Sequence, residues 1–329
     1  MGVIGLGQMG IQHAAILSVL TETKVCVTEK NERLLKAVSD IGGSICPHDS
    51  VHDLLREDLL NGIFVCTPVQ THFDVVADIL RETHDDLYLF VEKPLATNYR
   101  QASELINMIG SKRGSMVGFQ KRFSGIYSRL KRVVTENLLG EIKFYKAHSF
   151  SYDVVTNSKG WKFEPPDGGV TLDFGTHMMD LILWLFGEAK VSSAFKRSIY
   201  SRRVEDFVHA ILSHGNIEGT LDIGWSMRNY SPNEHRLEIH GTNGSAIATD
   251  DRLVLHVDHS IEGIIGSGTH VFYSTDLGVE VPFLLSYPEY VLEDEYFLMG
   301  AKQRAKLQPD FSQGANVNQL ADSIKTISA

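Results

Sequence analysis

Short, almost wholly apolar runs alternate with longer amphipathic segments over the first third of the chain. Residues 2–5, 24–28, 44–46, 62–66 and 115–119 read as buried strands, and another ends at Val91-Glu92-Lys93-Pro94. Helical periodicity fills the gaps, at about 8–20, 31–40, 51–56 and from Asn98 to Gly110. Continuous apolar strands alternating with helices imply a parallel sheet covered on both faces.

After Gln120 the pattern changes. Lys121, Arg122, Arg129, Lys131 and Arg132 interleave with Phe123, Ile126, Leu130 and Val133, so an amphipathic helix with a solvated basic face is expected there. A long strand follows at 141–152, and further strands at 190–197, 205–213, 217–225, 235–240, 246–249 and 252–256 are joined by Gly and Asn turns. Serial strands of this kind build a mostly antiparallel sheet, and helices at about 287–302 and 316–327 close the chain. The expected organisation is an α/β domain over 1–118 followed by an α+β domain over 119–329.

One run departs from ordinary amphipathicity. From Thr171 to Leu185 the chain reads as a nearly all-apolar helix, yet Asp173, His177, Asp180 and Trp184 fall at i, i+4, i+7 and i+11 along one face. Ionisable groups in such surroundings cost several kcal/mol unless paired or put to use. Two readings stand at this point. Asp173 caps a helix while Asp180 and His177 satisfy each other in a core, or the stripe carries chemistry.

Composition narrows the class. The 329 residues are 43% apolar and 22% charged, ordinary for a soluble globular protein and long enough for two cores. A formal charge of −10 argues against a broad nucleic-acid surface, and no apolar run approaches the roughly 20 residues of a membrane helix. Cys26, Cys46 and Cys66 are odd in number and lack CxxC spacing, which fits reduced thiols in a cytoplasmic protein better than a disulfide frame or a zinc site. His48 and His52, with Asp49 and Ser50 between them, read as a helix start, so no metal is expected.

The first apolar run leads into Gly5-Leu6-Gly7-Gln8-Met9-Gly10, a GxGxxG spacing at a strand-to-helix turn. The first glycine permits the turn, the second admits a pyrophosphate, and the third lets helix and strand pack closely. The helix N-terminus that follows favours phosphates. Glu29 stands at the end of the second strand, about 20 residues on, where an acid binds ribose hydroxyls and repels a 2′-phosphate. That favours NAD, while Lys30 beside it is a cation that could meet the phosphate of NADP. Thr67-Pro68 with His72, and Glu92-Lys93-Pro94, follow later strands and are expected to face the cofactor, since ligands of open α/β sheets bind beyond the carboxyl ends of the strands.

With these pieces in order the chain resembles the Gfo/Idh/MocA family, the glucose–fructose oxidoreductase and inositol dehydrogenase group. The resemblance rests on Gly5 to Gly10, Thr67-Pro68 with His72, Glu92-Lys93-Pro94 and Gly118-Phe119-Gln120-Lys121-Arg122-Phe123. It continues through Gly168-Gly169-Val170, the Asp173 to Trp184 stripe, Val204-Glu205-Asp206 and Ile239-His240-Gly241-Thr242-Asn243-Gly244. It implies a Rossmann domain, then a domain whose open sheet forms the interface of a homodimer or homotetramer. It also implies that Lys93, Asp173 and His177 act together across the cleft between domains. The implied function is NAD(P)-dependent hydride transfer between nicotinamide and a secondary alcohol of a sugar, nucleotide sugar or cyclitol. An NAD-dependent glycosidase working by transient oxidation and a non-catalytic dinucleotide sensor are the alternatives.

Imidazole suits proton exchange near neutral pH, so His177 is the expected acid/base. Lys93 is expected to stabilise the developing alkoxide, Asp173 to orient His177 and bind a hydroxyl, and Asp180 to support the helix. Arg122, Tyr152 and Trp161 are expected as walls of the substrate site. Gln120 stands where the family often has asparagine or an aromatic residue.

Overall fold

The first sheet carries six parallel strands, β1 (Gly2–Ile4), β2 (Val25–Thr28), β3 (Ile45–His48), β4 (Gly62–Val65), β5 (Tyr88–Glu92) and β6 (Ser115–Gly118), in the order β3-β2-β1-β4-β5-β6. Their Val, Ile, Leu and Phe side chains are almost all buried, as a sheet covered on both faces requires. The helices between them are α1 (Gln8–Leu20), α2 (Glu32–Ile41), α3 (Val51–Leu55), α4 (His72–Glu82) and α5 (Tyr99–Ile109). Strand order reverses between β1 and β4, the crevice at which doubly wound sheets bind ligands. The structure, a computed structural model, describes residues 1–20, 24–41, 45–58, 60–83, 86–110, 114–152, 160–277 and 288–327.

The second sheet has eight strands, β7 (Ile142–Phe150), β8 (Lys190–Arg197), β9 (Phe207–His214), β10 (Ile217–Gly224), β11 (Glu234–Gly241), β12 (Gly244–Ala248), β13 (Arg252–Val257) and β14 (Gly268–Tyr273). Their order is β14-β13-β12-β11-β7-β10-β9-β8. Every pairing is antiparallel except β7 with β10, which is parallel from Phe144↔Glu218 to Phe150↔Gly224. One face is buried through Tyr145, Ala147, Val208, Leu221, Ile223, Leu237 and Ile239, while Phe144, Ile211, Val271 and Tyr273 on the other face are exposed. With the sheet go α6 (Gly125–Thr135), α7 (Val170–Asp173) and α8 (Gly175–Phe186). Two longer helices, α9 (Glu289–Gln303) and α10 (Phe311–Thr326), close the chain. The chain divides into two units, Met1–Gln120 with Val281–Asn318, and Lys121–Glu280 with Gln319–Ala329.

Four details depart from the sequence reading. The basic run is a 3₁₀ turn (Gln120–Phe123) followed by α6, and Lys121 and Arg122 are buried rather than solvated, because each meets a carboxylate. The apolar run at 171–185 is two helices broken at Phe174, where the Thr176 hydroxyl turns back onto the Leu172 carbonyl at 3.2 Å. Strand β14 was not expected, since none of its residues is buried and its sequence carries no burial pattern. Finally α10 starts at Phe311, where Asp310 and Gln313 close a reciprocal capping pair: the Gln313 N–H donates to Asp310 Oδ1 at 3.0 Å and the Asp310 N–H to Gln313 Oε1 at 3.2 Å.

Candidate active site

The glycine-rich loop of the first unit divides its three glycines between fold and ligand. Gly5 has φ +89°, a conformation that excludes most side chains, and its N–H donates to the Thr28 carbonyl at 2.9 Å. A Cβ on Gly10 would lie 1.8 Å from the Gly5 carbonyl oxygen, so α1 packs too closely on that turn for any larger residue. A Cβ on Gly7 would meet nothing within 4 Å. The backbone is thus left open beside the first turn of α1, where Gln8 and Met9 stand and N–H groups with the helix dipole favour a diphosphate. These residues fit a dinucleotide.

Glu29 ties the loop to β2. Its Oε2 accepts the Leu6 N–H at 2.7 Å and its Oε1 the Asn31 N–H at 2.9 Å. A carboxylate has about four acceptor positions, so two such bonds leave capacity for ribose hydroxyls. Lys30 beside it is exposed.

The loops after β4 and β5 are pinned to each other. His72, fully buried, sets Nδ1 2.9 Å from the Pro94 carbonyl and Nε2 2.8 Å from the Thr67 carbonyl. Burial holds its pKa below the usual imidazole range against the pull of those carbonyls. The Thr71 hydroxyl donates to Thr67 Oγ1 at 2.8 Å, and Pro68 opens the turn between them. Glu92 is buried and points inward, whereas Lys93 is half-buried at the end of β5. Gln120 donates through Nε2 to the Tyr290 hydroxyl at 3.0 Å.

In the second unit the Thr171–Leu185 stripe separates into a buried salt bridge at Asp180 and two half-buried residues, Asp173 and His177. Asp180, 0% exposed, takes two bonds from the buried Arg122 guanidinium, Nε to Oδ2 at 2.8 Å and Nη2 to Oδ1 at 2.6 Å. The same guanidinium stands 5.4 Å from the Trp184 ring centroid, in the range of a cation–π contact. Arg122 is therefore committed to Asp180. Asp173 and His177 are half-buried, on either side of the break at Phe174. Lys162 approaches Asp173 Oδ2 at 3.8 Å, and the His177 ring stands edge-on to His235, centroids 5.6 Å apart.

His235, on β11, has Nδ1 2.8 Å from Ser149 Oγ. Its backbone N–H reaches Asp250 at 3.4 Å, and Asp250 holds Lys121 at 2.6 Å. Burial raises the Asp250 pKa, but His235 and Lys121 outweigh it and hold the carboxyl below its ordinary value. Tyr152, just past β7, and Trp161, opening a 3₁₀ turn (Trp161–Phe163), are half-buried. Nothing in the spacing of His235, Asp250 and Lys121 announces this network; only the strand register β7–β11 brings Ser149 opposite His235.

Among the described residues one group could hold a metal ion, Cys26, His48 and Glu57, with ligand atoms within 4.8 Å of one another. The Lys24 ammonium already lies 3.0 Å from both Glu57 oxygens.

A family model for an oxidoreductase family with an NAD-binding Rossmann fold matches residues 1–119, and a model of the GFO/IDH/MocA C-terminal domain matches residues 127–247. Inositol 2-dehydrogenase of Rhizobium meliloti (strain 1021) is 24% identical over 336 residues, covering 98% of this chain and 94% of that protein. A scyllo-inositol 2-dehydrogenase (NADP(+)) of Bacillus subtilis (strain 168) is 24% identical over 75% of this chain and 67% of its own length. Among solved structures, levoglucosan dehydrogenase in complex with NADH and levoglucosan superposes with a TM-score of 0.85 at 19% identity, over 98% of this chain and 95% of that one.

Proposed function

The chain belongs to the Gfo/Idh/MocA family of NAD(P)-dependent oxidoreductases acting on CH–OH groups, and on that premise we propose that it oxidises a secondary alcohol of a cyclitol or sugar. The observation that carries the reading is His177, a half-buried imidazole on the first turn of α8, where its neighbours Gly175, Thr176, Met178 and Met179 are buried. The similarity to an inositol 2-dehydrogenase over nearly the whole chain supports the substrate class.

Bound at the open glycine loop, NAD supplies the acceptor for the hydride. His177 takes the hydroxyl proton as the alcohol is oxidised. Lys93 donates to the oxygen on which negative charge grows, a role whose loss costs on the order of 10²–10³ in rate. Asp173 binds a neighbouring hydroxyl and keeps the His177 ring in register, and Tyr152 and Trp161 form walls of the substrate site. Glu29 selects NAD over NADP through the ribose hydroxyls. The exposed face bearing Phe144, Ile211, Val271 and Tyr273 supports a subunit interface, and light scattering of the purified protein reads the oligomeric state directly.

The test is a panel of inositols, sugars and nucleotide sugars assayed with NAD and NADP for steady change in nicotinamide absorbance. His177→Ala is expected to abolish that turnover while NADH affinity, read by fluorescence, stays within about twofold. Retained turnover in this variant would falsify the assignment. A glycosidic substrate cleaved with no net absorbance change would establish the glycosidase alternative instead. Glu29→Ala is expected to raise the ratio of NADP to NAD activity, and because Glu29 also holds Leu6, some affinity for both is lost.

A further inference from the structure

His13 takes no part in the chemistry just described, yet both of its ring nitrogens are tied to buried carboxylates. It lies on α1, 0% exposed, with Nδ1 2.7 Å from Asp294 Oδ1 and Nε2 2.9 Å from Glu92 Oε1. A neutral imidazole carries one N–H and cannot donate to two ionised carboxylates; the imidazolium can. Burial pushes the His13 pKa down, but Asp294 and Glu92 outweigh it and raise it well above the ordinary value. The rings of Phe64 and Phe90, with centroids at 5.3 and 5.1 Å, wall the imidazole in.

The second oxygen of Glu92 does a different job. Oε2 accepts the backbone N–H of Lys93 at 3.0 Å. A Cβ on Gly118 would stand 3.2 Å from Oε1, so the carboxylate fits a slot with little slack. Across the same segment, His72 holds the Pro94 carbonyl. A continuous chain of hydrogen bonds therefore runs from α9 through α1 to the residue after β5, joining Asp294 to His13 over 281 positions of sequence. Replacing such buried charges by packed apolar groups is often neutral or stabilising, so stability alone is a weak reason for them.

We propose that Asp294 and His13 are positioning residues for Lys93: they hold the Glu92 carboxylate against the Lys93 amide and thereby fix where the lysine presents its ammonium. The proposal rests on the reading of Lys93 as the group that stabilises the alkoxide. Groups acting through one chain of contacts are coupled, so their substitutions do not add. Ordinary packing damage at the two ends would lower stability and leave kcat intact.

The experiment compares Lys93→Met, Glu92→Gln, Asp294→Asn and the Glu92→Gln/Asp294→Asn double variant on the best substrate of the panel. Measured quantities are kcat, KM, NADH affinity by fluorescence, and melting temperature, with assays run well below melting. The expected result is near-complete loss for Lys93→Met. For Glu92→Gln and Asp294→Asn, kcat falls about tenfold or more with NADH affinity within about twofold, and the double variant is no worse than the weaker single. Wild-type kcat in both single variants, with Lys93→Met inactive, overturns the relay and leaves the role of Lys93 standing. Losses that multiply in the double variant overturn it as well. Wild-type activity in Lys93→Met removes the reading on which both depend. Should Asp294→Asn not accumulate folded, Glu92→Gln, which keeps the His13–Asp294 pair, carries the same comparison of kcat against affinity and melting.

Discussion

Asp180 shares a helical stripe with His177, and only its surroundings separate their roles. A buried carboxylate with two bonds from a buried guanidinium is held for structure, and removing one partner strands the other charge at a cost of about 3–5 kcal/mol. Asp180→Ala is expected to lower urea-unfolding stability by that amount, and a loss below about 1 kcal/mol contradicts the pairing. In the first unit, Glu293 is 0% exposed with neither carboxylate oxygen hydrogen-bonded among the described residues, and burial, with Glu92 and Asp294 nearby, raises its pKa well above the usual range. Both Glu293 and His13 bind protons more tightly folded than unfolded, so each contributes stability on the acid side that is lost as pH rises through its folded value. Urea midpoints are expected to fall as pH is raised above the ordinary values of the two groups, 4.5 for Glu293 and 6.5 for His13. In Glu293→Gln that slope should flatten; an unchanged slope assigns it elsewhere. None of this was legible in advance, because charge pairing depends on neighbours distant in the chain. The i, i+4 spacing of Asp173 and His177 is legible in the sequence, but the break at Phe174, which puts them on two helices, is not.

At the scale of elements, the turn from β1 into α1 was readable in full, because each glycine answers to a local steric demand. The glycines also make separable predictions. Gly7→Ala is expected to leave melting unchanged and to weaken NADH binding by at least tenfold, since a Cβ there meets no protein atom. Gly10→Ala, with a Cβ 1.8 Å from a carbonyl oxygen, is expected to lower the melting temperature as well. Equal effects of the two substitutions on melting and on affinity contradict the division. At this scale periodicity missed an element that buries no face and the first turn of one that does. Strand β14 is without a buried residue, and α10 starts at the buried Phe311, with Asp310 and Gln313 capping it. The basic run misled for the converse reason: Lys121 and Arg122 look like solvent residues until Asp250 and Asp180 arrive from far along the chain.

At the scale of the whole chain, the alternation of helix and strand up to Gly118 announces a parallel sheet, and serial strands announce an antiparallel one. Strand order is another matter. Nothing local says that β7 sits at the centre of the second sheet, with β11 on one side and β10 on the other. The parallel register of β7 with β10 has a consequence for how the protein reaches its native state. Two parallel neighbours cannot be closed by a tight turn, so the sheet is completed only after the chain from Ser151 to Asn216 has been laid down, and the helix bearing His177 lies inside that connection. Contacts of such sequence separation form late and slowly. After dilution from denaturant, far-UV ellipticity is expected to recover before dehydrogenase turnover, with the lag insensitive to added NAD. Recovery of both signals in a single phase would show that the central strand pair forms early.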